Sequence, residues 1–476
     1  MNYETVIGLE VHAQLQTNTK LFCSCSTRFG RSPNQNTCEV CLGMPGVLPV
    51  LNEKATELAV RAAIGLGCDI HLRSQWARKN YFYPDLSKGY QISQFEHPYC
   101  TGGTLTFVVD GEEKTVRLTR IHMEEDAGKS IHDGQLVGNR SCVDFNRGGT
   151  PLIEIVSEPD LRSSQEAASY MKTLRQLLRY LGVCDGNMEE GSLRCDANVS
   201  IRPFGAKEYG TRTELKNINS FRFVQQAIDY EVSRQIDLLD SGERVVQETR
   251  LWDTQAKVTR TMRSKEDAHD YRYFPDPDLP ELVVSEEFVA GVRKELPELP
   301  AERYGRLVKD HGLTEKQASV LTEDKAVVDF YEAAFSAHRN AKSIANWVIN
   351  DVLRELKGQD ISELGISGSN LGELVKLIDD DVISGKIAKE VFVEMRKGGQ
   401  SPAEIVDARG LKQVTNTEEL EGIITLIIES HPGQVAQYRD GKVNLLGFFV
   451  GQVMKQTQGK ANPKIVNELL RGKLEL

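Results

Sequence analysis

The sequence predicts an α+β protein, in which a mostly antiparallel sheet with helices occupies the first half and helices make up the rest. Apolar and polar residues alternate in Ile7–Leu15 and in Leu193–Arg202, a period of two that is typical of half-buried strands. Asp110-Gly111 between two apolar runs indicates a hairpin, which joins antiparallel strands. Prolines recur from Pro275 to Pro300, and beyond them the apolar spacing becomes helical.

Length and these patterns together predict three domains. A chain of 476 residues has room for about three cores of ordinary size. We predict a β-rich domain over residues 1–294, a helical domain over 295–410 and a small all-α tail domain over 411–476. Within the first domain, two amphipathic stripes predict helices, one starting after Ser163 and one containing Val224 and Ile228.

Composition and charge exclude several classes of protein. Hydrophobic residues make up 40% of the chain and charged residues 27%, which excludes collagen-like and wholly disordered proteins. No apolar run approaches the roughly 18 residues that a membrane span needs, and no secretory signal is recognisable, so we expect a cytoplasmic protein without a membrane partner. The net charge of −11 argues against coating nucleic acid by bulk charge, although residues 431–476 carry +4 and could contact it locally.

Four of the nine cysteines form two close pairs. Cys23 and Cys25 are followed, after a loop rich in turn-forming residues, by Cys38 and Cys41. In a cytosolic chain such pairs are typical of a structural Zn²⁺ site, because each pair supplies two corners of a tetrahedron. Four thiolates would leave no open position for a substrate. Reduced cysteines without a metal are the alternative.

The first half also carries many carboxylates on its candidate strands. A period of two places Glu10 and His12 on the same face of one strand. Mg²⁺ prefers carboxylate oxygens together with substrate phosphates, and converging acids need a cation to offset their repulsion. The alternative is a solvated sheet face of mixed charge. The candidate acids are Glu10, Glu124, Glu125, Asp126, Glu154, Glu189, Glu190, Asp196 and Glu214, and the cations that could bind phosphate are Lys79, Arg147, Arg194 and Lys216.

Familiar nucleotide-binding and nucleophile motifs are missing. Gly128-Lys129-Ser130 resembles the end of a phosphate loop, but Met123 stands where the first glycine is required. No G-x-S-x-G nucleophile elbow is present. The segment Arg78–Asp85 instead groups cations with aromatic rings, which suits stacking on a base beside a phosphate, although a small satellite core would have the same composition.

Taken together, these segments resemble the B subunits of the glutamine-dependent aspartyl/glutamyl-tRNA amidotransferases over essentially the whole chain. The motifs that carry the resemblance are Thr5–His12, Arg78–Asp85, His122–Lys129, Asn146–Pro159, Met188–Asn198, Glu214–Asn217 and Asp270–Pro280. The resemblance implies a β-rich cradle domain, a helical domain and a tail domain that contacts tRNA.

The resemblance also implies an enzyme, namely a carbon–nitrogen ligase that uses glutamine as amido donor. Such a B subunit phosphorylates the side-chain carboxylate of Glu-tRNA(Gln) or Asp-tRNA(Asn) with ATP and Mg²⁺, and ammonia then displaces phosphate. A partner A subunit releases the ammonia from glutamine, and a small C subunit completes the heterotrimer. The carboxylate needs this activation because oxide is a very poor leaving group, whereas phosphate is a good one.

Individual roles follow from the matching motifs. His12, Glu125 and Glu214 are expected to hold Mg²⁺. The acids expected beside the metal, as ligands, water holders or bases, are Glu10, Glu124, Glu154, Glu190 and Asp196. Lys79 and Tyr81 are expected to contact the nucleotide, while Arg194 and Lys216 bind phosphate. Because some members of the family lack the four cysteines, their presence here favours a bound structural Zn²⁺.

Two rival interpretations make different predictions. A non-catalytic, zinc-bearing tRNA-binding scaffold would turn over no ATP and bind no metal at the acids. A stand-alone ligase acting on a free amino acid would work without tRNA or partners, although the basic tail and the missing ammonia-releasing site count against it. An ATPase assay with and without misacylated tRNA separates the three.

Overall fold

The computed structural model describes residues 2–131, 140–264, 271–357, 359–413, 417–457 and 460–475. Asp270, the first residue of the last motif named above, lies outside this range. The chain divides into two compact units, Met1–Leu299 and Pro300–Leu476. The predicted further division of the helical part at residue 411 stays a prediction.

Ten of the described strands in the N-terminal unit form one sheet. In chain order they are β1 Tyr3–Gln14, β2 Asp69–Ile70, β3 Cys100–Thr101, β4 Thr104–Val109, β5 Glu112–Glu125, β6 Pro151–Ser157, β7 Leu193–Pro203, β8 Thr213–Ile218, β9 Glu248–Asp253 and β10 Val258–Ser264. Their order across the sheet is β10-β9-β8-β7-β1-β6-β5-β3-β2, and β4 pairs with β5. Neighbours run antiparallel except for β8 and β9, so the predicted α+β class with a mostly antiparallel sheet is confirmed.

The described helices of this unit are α1 Glu39–Leu42, α2 Glu53–Gly65, α3 Ser164–Tyr180, α4 Phe221–Asp240 and α5 Glu286–Lys294. Ser163 and Ser220 begin α3 and α4, since each hydroxyl accepts a hydrogen bond from the backbone N–H three residues later, at 3.1 Å. The two predicted helices are therefore present. They pack against each other, and α4 also contacts β7.

The two faces of β1 meet different surroundings. Ile7, Leu9 and Val11 are buried in one core with Leu174 of α3 and Val224 of α4. Because side chains alternate along a strand, this burial directs the intervening residues to the opposite face of the sheet. That opposite face, which we call the polar face, carries Glu10 and His12 of β1 and the side chains that meet them from β5, β6, β7 and β8.

Short strands complete the N-terminal unit. Ala77–Asn80 pairs with Tyr90–Ser93 and with Phe274–Pro275. The motif Arg78–Asp85 and the motif that ends at Pro280 therefore share one small sheet. The other pairs are Arg73–Ser74 with Leu282–Val283 and Lys129–Ile131 with Cys142–Asp144.

The described part of the C-terminal unit is helical. Its α-helices are Pro300–Lys309, Glu315–Thr322, Lys325–Ala337, Ala341–Trp347, Leu353–Leu356, Gly368–Asp379, Gly385–Gly398, Pro402–Arg409, Thr417–Ser430, Pro432–Arg439, Leu446–Gln456 and Pro463–Leu474, with a π-helical turn at Val348–Val352 and 3-10 turns at Ile361–Leu364 and Val443–Leu445. Leu420, Ile424, Phe449, Val453 and Leu470 share one core, so the last helices pack together. Among the described residues, no helix has the length and apolarity needed to cross a bilayer.

Candidate active site and metal centres

The register of the sheet aligns charged residues across four neighbouring strands. His12 of β1 stands between Arg194 of β7 and Glu154 of β6. Glu154 in turn stands opposite His122 of β5. Glu10, two residues before His12, is paired with Asp196 of β7. Segments more than 100 residues apart in the chain thus meet on the polar face.

One group of possible metal ligands consists of His12, Glu124 and Glu154. Their ligand atoms all lie within 4.8 Å of one another. Nε2 of His12 is 3.3 Å from Oε2 of Glu154 and 3.6 Å from Oε1 of Glu124. Burial disfavours a charged imidazole, but the two carboxylates prevail and raise the pKa of His12 to about 9. An excess of negative charge therefore surrounds this histidine.

A second group consists of Glu10, Asp196 and Glu214, whose ligand oxygens also lie within 4.8 Å of one another. Nζ of Lys216 is 2.5 Å from Oδ2 of Asp196 and 2.8 Å from Oε1 of Glu214. Burial, followed by the nearby carboxylates of Glu154, Asp196 and Glu214, raises the pKa of Glu10. Glu10 and His12 are two residues apart on one face of β1, so the two groups adjoin.

His122 is a polar-face residue for which the sequence analysis predicted no role. Its Nε2 lies 3.3 Å from Oε2 of Glu154 and 3.9 Å from Oε2 of Glu124. Although burial opposes ionisation, His122 and His12 together hold the pKa of Glu154 well below its usual range. The signal was available, because a period of two in His122-Met123-Glu124 puts the histidine on the same face as Glu124.

Cations and aromatic rings border the first group. Burial alone would lower the pKa of Lys79, but Glu124, Tyr273 and Glu154 raise it. Nζ of Lys79 lies 4.8 Å from the ring centre of Tyr271, and Tyr81 meets that ring edge-on at 6.0 Å. The predicted nucleotide contacts Lys79 and Tyr81 are therefore close to one shared tyrosine.

Arg194 and Lys216 are associated with different ligand groups, since Arg194 is paired with His12 across the sheet and Lys216 contacts Asp196 and Glu214. A terminal nitrogen of Arg194 is 2.9 Å from Oδ2 of the buried Asp126, which also accepts a hydrogen bond from Gln14. Lys216 binds the second ligand group directly. Both predicted phosphate-binding cations thus stand next to the polar face, each already held by a carboxylate.

The expected grouping of His12, Glu125 and Glu214 around one ion is not what the structure shows. Neighbouring residues of a strand point to opposite faces, so Glu125 turns away from His12, whereas Glu124 lies beside it. Glu125 instead contacts the ammonium of Lys88 and accepts the backbone N–H of Ile92 at 2.9 Å. Glu214 belongs to the second group and not to that of His12.

Glu190 is also separate from both ligand groups. It lies on an exposed turn before β7, where its backbone N–H donates to the side chain of Asn187 at 3.2 Å. It lines a surface depression with Arg175 and Phe221. The chain leaves the sheet in the loop before β7, so the carboxylate of Glu190 does not reach the polar face.

The four cysteines meet as predicted from their spacing. The sulfur atoms of Cys23, Cys25, Cys38 and Cys41 all lie within 4.8 Å of one another. Sγ of Cys41 is 3.5 Å from that of Cys23 and 3.8 Å from that of Cys38. Zn–S bonds of about 2.3 Å in a tetrahedron place the sulfurs about 3.8 Å apart, so the donor set fits zinc. The pKa of the Cys41 thiol falls to about 4, through the hydrogen bond from Cys23 and the nearby ammonium of Lys20.

A cavity of about 230 Å³ adjoins this cluster. Cys23 and Cys41 line it together with Lys88 and Glu125. Glu125 therefore faces the cysteine cluster rather than the ligand groups of the polar face.

Comparisons with known proteins point to one family. The sequence profile described as "GatB/GatE catalytic domain" matches residues 5–290, and the profile described as "GatB domain" matches residues 329–474. The chain is similar to three aspartyl/glutamyl-tRNA(Asn/Gln) amidotransferase B subunits. It is 57% identical to that of Syntrophotalea carbinolica over 474 residues, 99% of this chain and 98% of the relative. For Geotalea daltonii the identity is 56% over 478 residues and all of both chains, and for Thermodesulfovibrio yellowstonii 54% over 472 residues and 99% of both.

Proposed function

The chain belongs to the GatB/GatE family, and we propose that it is the tRNA amidotransferase subunit that activates and amidates the side-chain carboxylate of Glu-tRNA(Gln) or Asp-tRNA(Asn). The observation that carries the proposal is the pairing of two ligand groups, His12/Glu124/Glu154 and Glu10/Asp196/Glu214, on adjoining strands. A solvated face of mixed charge would not need to gather six ligand side chains in two compact sets.

The two ligand groups suit divalent cations. His12, Glu124 and Glu154 would hold one Mg²⁺, and Glu10, Asp196 and Glu214 a second, since five of the six donors are carboxylates. When bound, such ions neutralise charge on the transferring phosphoryl group. Glu154 is kept ionised by the two histidines that flank it, so it is ready to act as a ligand.

The cations around these groups would bind phosphate oxygens. Lys79 is close to Glu124 and Glu154 of the first group, Lys216 contacts Asp196 of the second, and Arg194 is oriented by Asp126. Tyr81 would contact the nucleotide beside Lys79. A positively charged frame of this kind favours phosphoryl transfer, in which negative charge spreads over the oxygens.

The reaction then has two balanced steps. An oxygen of the substrate carboxylate bonds to the terminal phosphorus of ATP, and ADP leaves. Ammonia next bonds to the acyl carbon, phosphate leaves with the C–O electron pair, and the nitrogen loses a proton. Water at the site accepts that proton, since the carboxylates of both ligand groups would be engaged by the ions.

Ammonia and tRNA require other surfaces. Within the described residues we find no amidase nucleophile motif, which supports the supply of ammonia by a partner A subunit, held by a small C subunit. Residues 431–476 carry a net +4, which supports contact of the tail with tRNA phosphates. The four cysteines would hold a structural Zn²⁺.

Replacing Glu154 tests the proposal in the reconstituted heterotrimer. Glu154→Gln keeps the shape of the side chain but removes the charge shared by His12 and His122. We expect ATP turnover that depends on misacylated tRNA to fall at least about 100-fold, while glutamine hydrolysis by the partner persists. Glu158→Gln, just beyond β6, is the matched control and should keep full activity. Unchanged turnover in Glu154→Gln would exclude Glu154 from the proposed site, whereas a wild-type complex that turns over no ATP would favour the non-catalytic scaffold.

A further inference from the structure

Lys20 is a fully buried lysine next to the cysteine cluster. Its Nζ lies 3.3 Å from Sγ of Cys41 and donates to the backbone oxygen of Phe145 at 3.1 Å. Burying an ammonium group is strongly unfavourable unless a negative charge compensates it. The carbonyl oxygen supplies a hydrogen bond but no charge, so of these two contacts Cys41 is the one that can carry a compensating negative charge.

The negative charge of the cluster is stabilised by a nearby cation, just as the buried ammonium group of Lys20 is stabilised by an anion. Four thiolates and one Zn²⁺ sum to a charge of −2. Two other cations line the same cavity, but they are paired with carboxylates. Lys88 contacts Glu125, and Arg78 lies 2.9 Å from Asp276. Of the cations that line this cavity, Lys20 is the one whose ammonium group is hydrogen-bonded to a sulfur atom.

Lys20 also joins the cluster to the segment 142–150. Besides the bond to Phe145, the cysteine loop holds this segment through Asn34, which accepts the N–H of Phe145 at 2.8 Å, and through Asn36, whose N–H donates to Asn146 at 2.7 Å. Gly149 has a φ of +85°, and a Cβ there would lie 3.3 Å from Cδ of Lys20. The lysine stem therefore packs directly on this segment.

The segment 142–150 leads to the polar face. Its Arg147 donates to the backbone oxygens of Ala127 and Gly128 at 2.9 and 2.7 Å and lies 3.6 Å from Asp126. Asp126 is the carboxylate that holds Arg194. A continuous set of contacts thus runs from Cys41 through Lys20 and the segment to a proposed phosphate-binding cation.

We propose that Lys20 is the charge partner of the four-thiolate zinc centre and couples zinc occupancy to the position of residues 142–150. This inference rests on the zinc site proposed above. The zinc centre would then stabilise more than the cysteine loop. Loss of the metal would change the charge beside Lys20 and loosen residues 142–150, which include Arg147.

Zinc affinity of the full chain, measured by competition with a chromophoric chelator, tests the charge role. Lys20→Met removes charge and donor, whereas Lys20→Gln keeps a donor and removes only charge. We expect both to weaken zinc binding about 10- to 100-fold. Lys54→Met, which alters an exposed lysine paired with Glu57, should leave zinc affinity unchanged. Equal affinities for all four proteins would overturn the proposal.

Amide hydrogen exchange, measured first in the wild-type chain, tests the coupling. Removing zinc should speed exchange in residues 142–150, and zinc-loaded Lys20→Met, if folded, should show the same change. Unaltered exchange there on zinc removal would refute the coupling. If the wild-type chain takes up no zinc at all, the zinc site itself fails, and this inference with it. That outcome is recognised from the wild-type titration alone.

Discussion

Glu124 and Glu125 are consecutive in β5, yet their carboxylates have entirely different partners. Glu124 lies 3.6 Å from Nε2 of His12, whereas Glu125 contacts Lys88 and the backbone of Ile92. The alternation of a strand forces this divergence, and it decides which of the two acids can belong to a metal site on the polar face.

The first prediction uses this pair of acids. Glu124→Gln should weaken Mg²⁺ binding at least about tenfold, because it removes one of three clustered ligands. Glu125→Gln, an identical change one residue away, should leave Mg²⁺ affinity within about twofold of wild type. Calorimetric titration of both variants measures the difference. Stronger loss in Glu125→Gln than in Glu124→Gln would reverse the assignment made here.

The second prediction concerns pH. In the metal-free fold the pKa of His12 is raised from 6.5 to about 9, so the imidazole is protonated at neutral pH and cannot bind a cation. Its proton must leave when Mg²⁺ binds. Apparent Mg²⁺ affinity should therefore fall by up to about tenfold for each pH unit below about 9. A titration series from pH 7 to 9 checks this.

His12→Asn supplies the control for that series. It keeps a side-chain oxygen for the ion but has no titratable ring, so its Mg²⁺ affinity should depend much less on pH in the same range. An equal slope in wild type and variant would mean that another group releases the proton.

The third prediction tests the cysteine cluster. Cys38→Ser should abolish stoichiometric zinc and lower the midpoint of thermal unfolding by at least about 5 °C, since binding free energy of a structural metal contributes to folding. Cys142→Ser changes an exposed cysteine outside the cluster and should alter neither quantity. Zinc content by atomic absorption, together with calorimetry, decides. A zinc-free but equally stable wild type would contradict the structural role.

The fourth prediction concerns tRNA. Truncation after Ser430 is unsuitable, because it would expose Leu420 and Ile424, which share a core with the last helices. Instead, reversing three exposed charges, by Lys455→Glu, Lys464→Glu and Arg471→Glu together, should raise KM for misacylated tRNA at least about tenfold with little change in kcat.

The salt dependence of tRNA binding should weaken in the same triple variant, because fewer counterions are released. A matched triple reversal at Lys309, Lys386 and Lys397, also exposed in the C-terminal unit, controls for net charge. If both triple variants raise KM equally, the effect comes from overall charge and not from the tail.

A large part of the fold and of the site could be predicted from the sequence. Alternation put Glu10 and His12 on one face, and the spacing of the cysteine pairs anticipated the cluster of four sulfurs. The order and register of the strands could not be predicted from the sequence. Only the antiparallel pairing of β1 with β6 and of β6 with β5 brings Glu154 between His12 and His122.

The differences between the expected and the observed surroundings of Glu125 and Glu190 have the same origin. Choosing between Glu124 and Glu125 requires knowing which residue of β5 faces the core, and Met123, fully buried, fixes that choice. Glu190 was grouped with the other acids because its motif continues into β7, but the chain turns away from the sheet before that strand begins.

Conversion of a carboxylate into an acyl phosphate at the polar face can be tested by following oxygen atoms. Misacylated tRNA is prepared with ¹⁸O in both side-chain carboxylate oxygens and amidated by the reconstituted heterotrimer. The released phosphate is analysed by mass spectrometry. Activation by phosphorylation predicts one ¹⁸O atom in phosphate for each amide formed. Amide formation accompanied by phosphate without ¹⁸O would contradict the account.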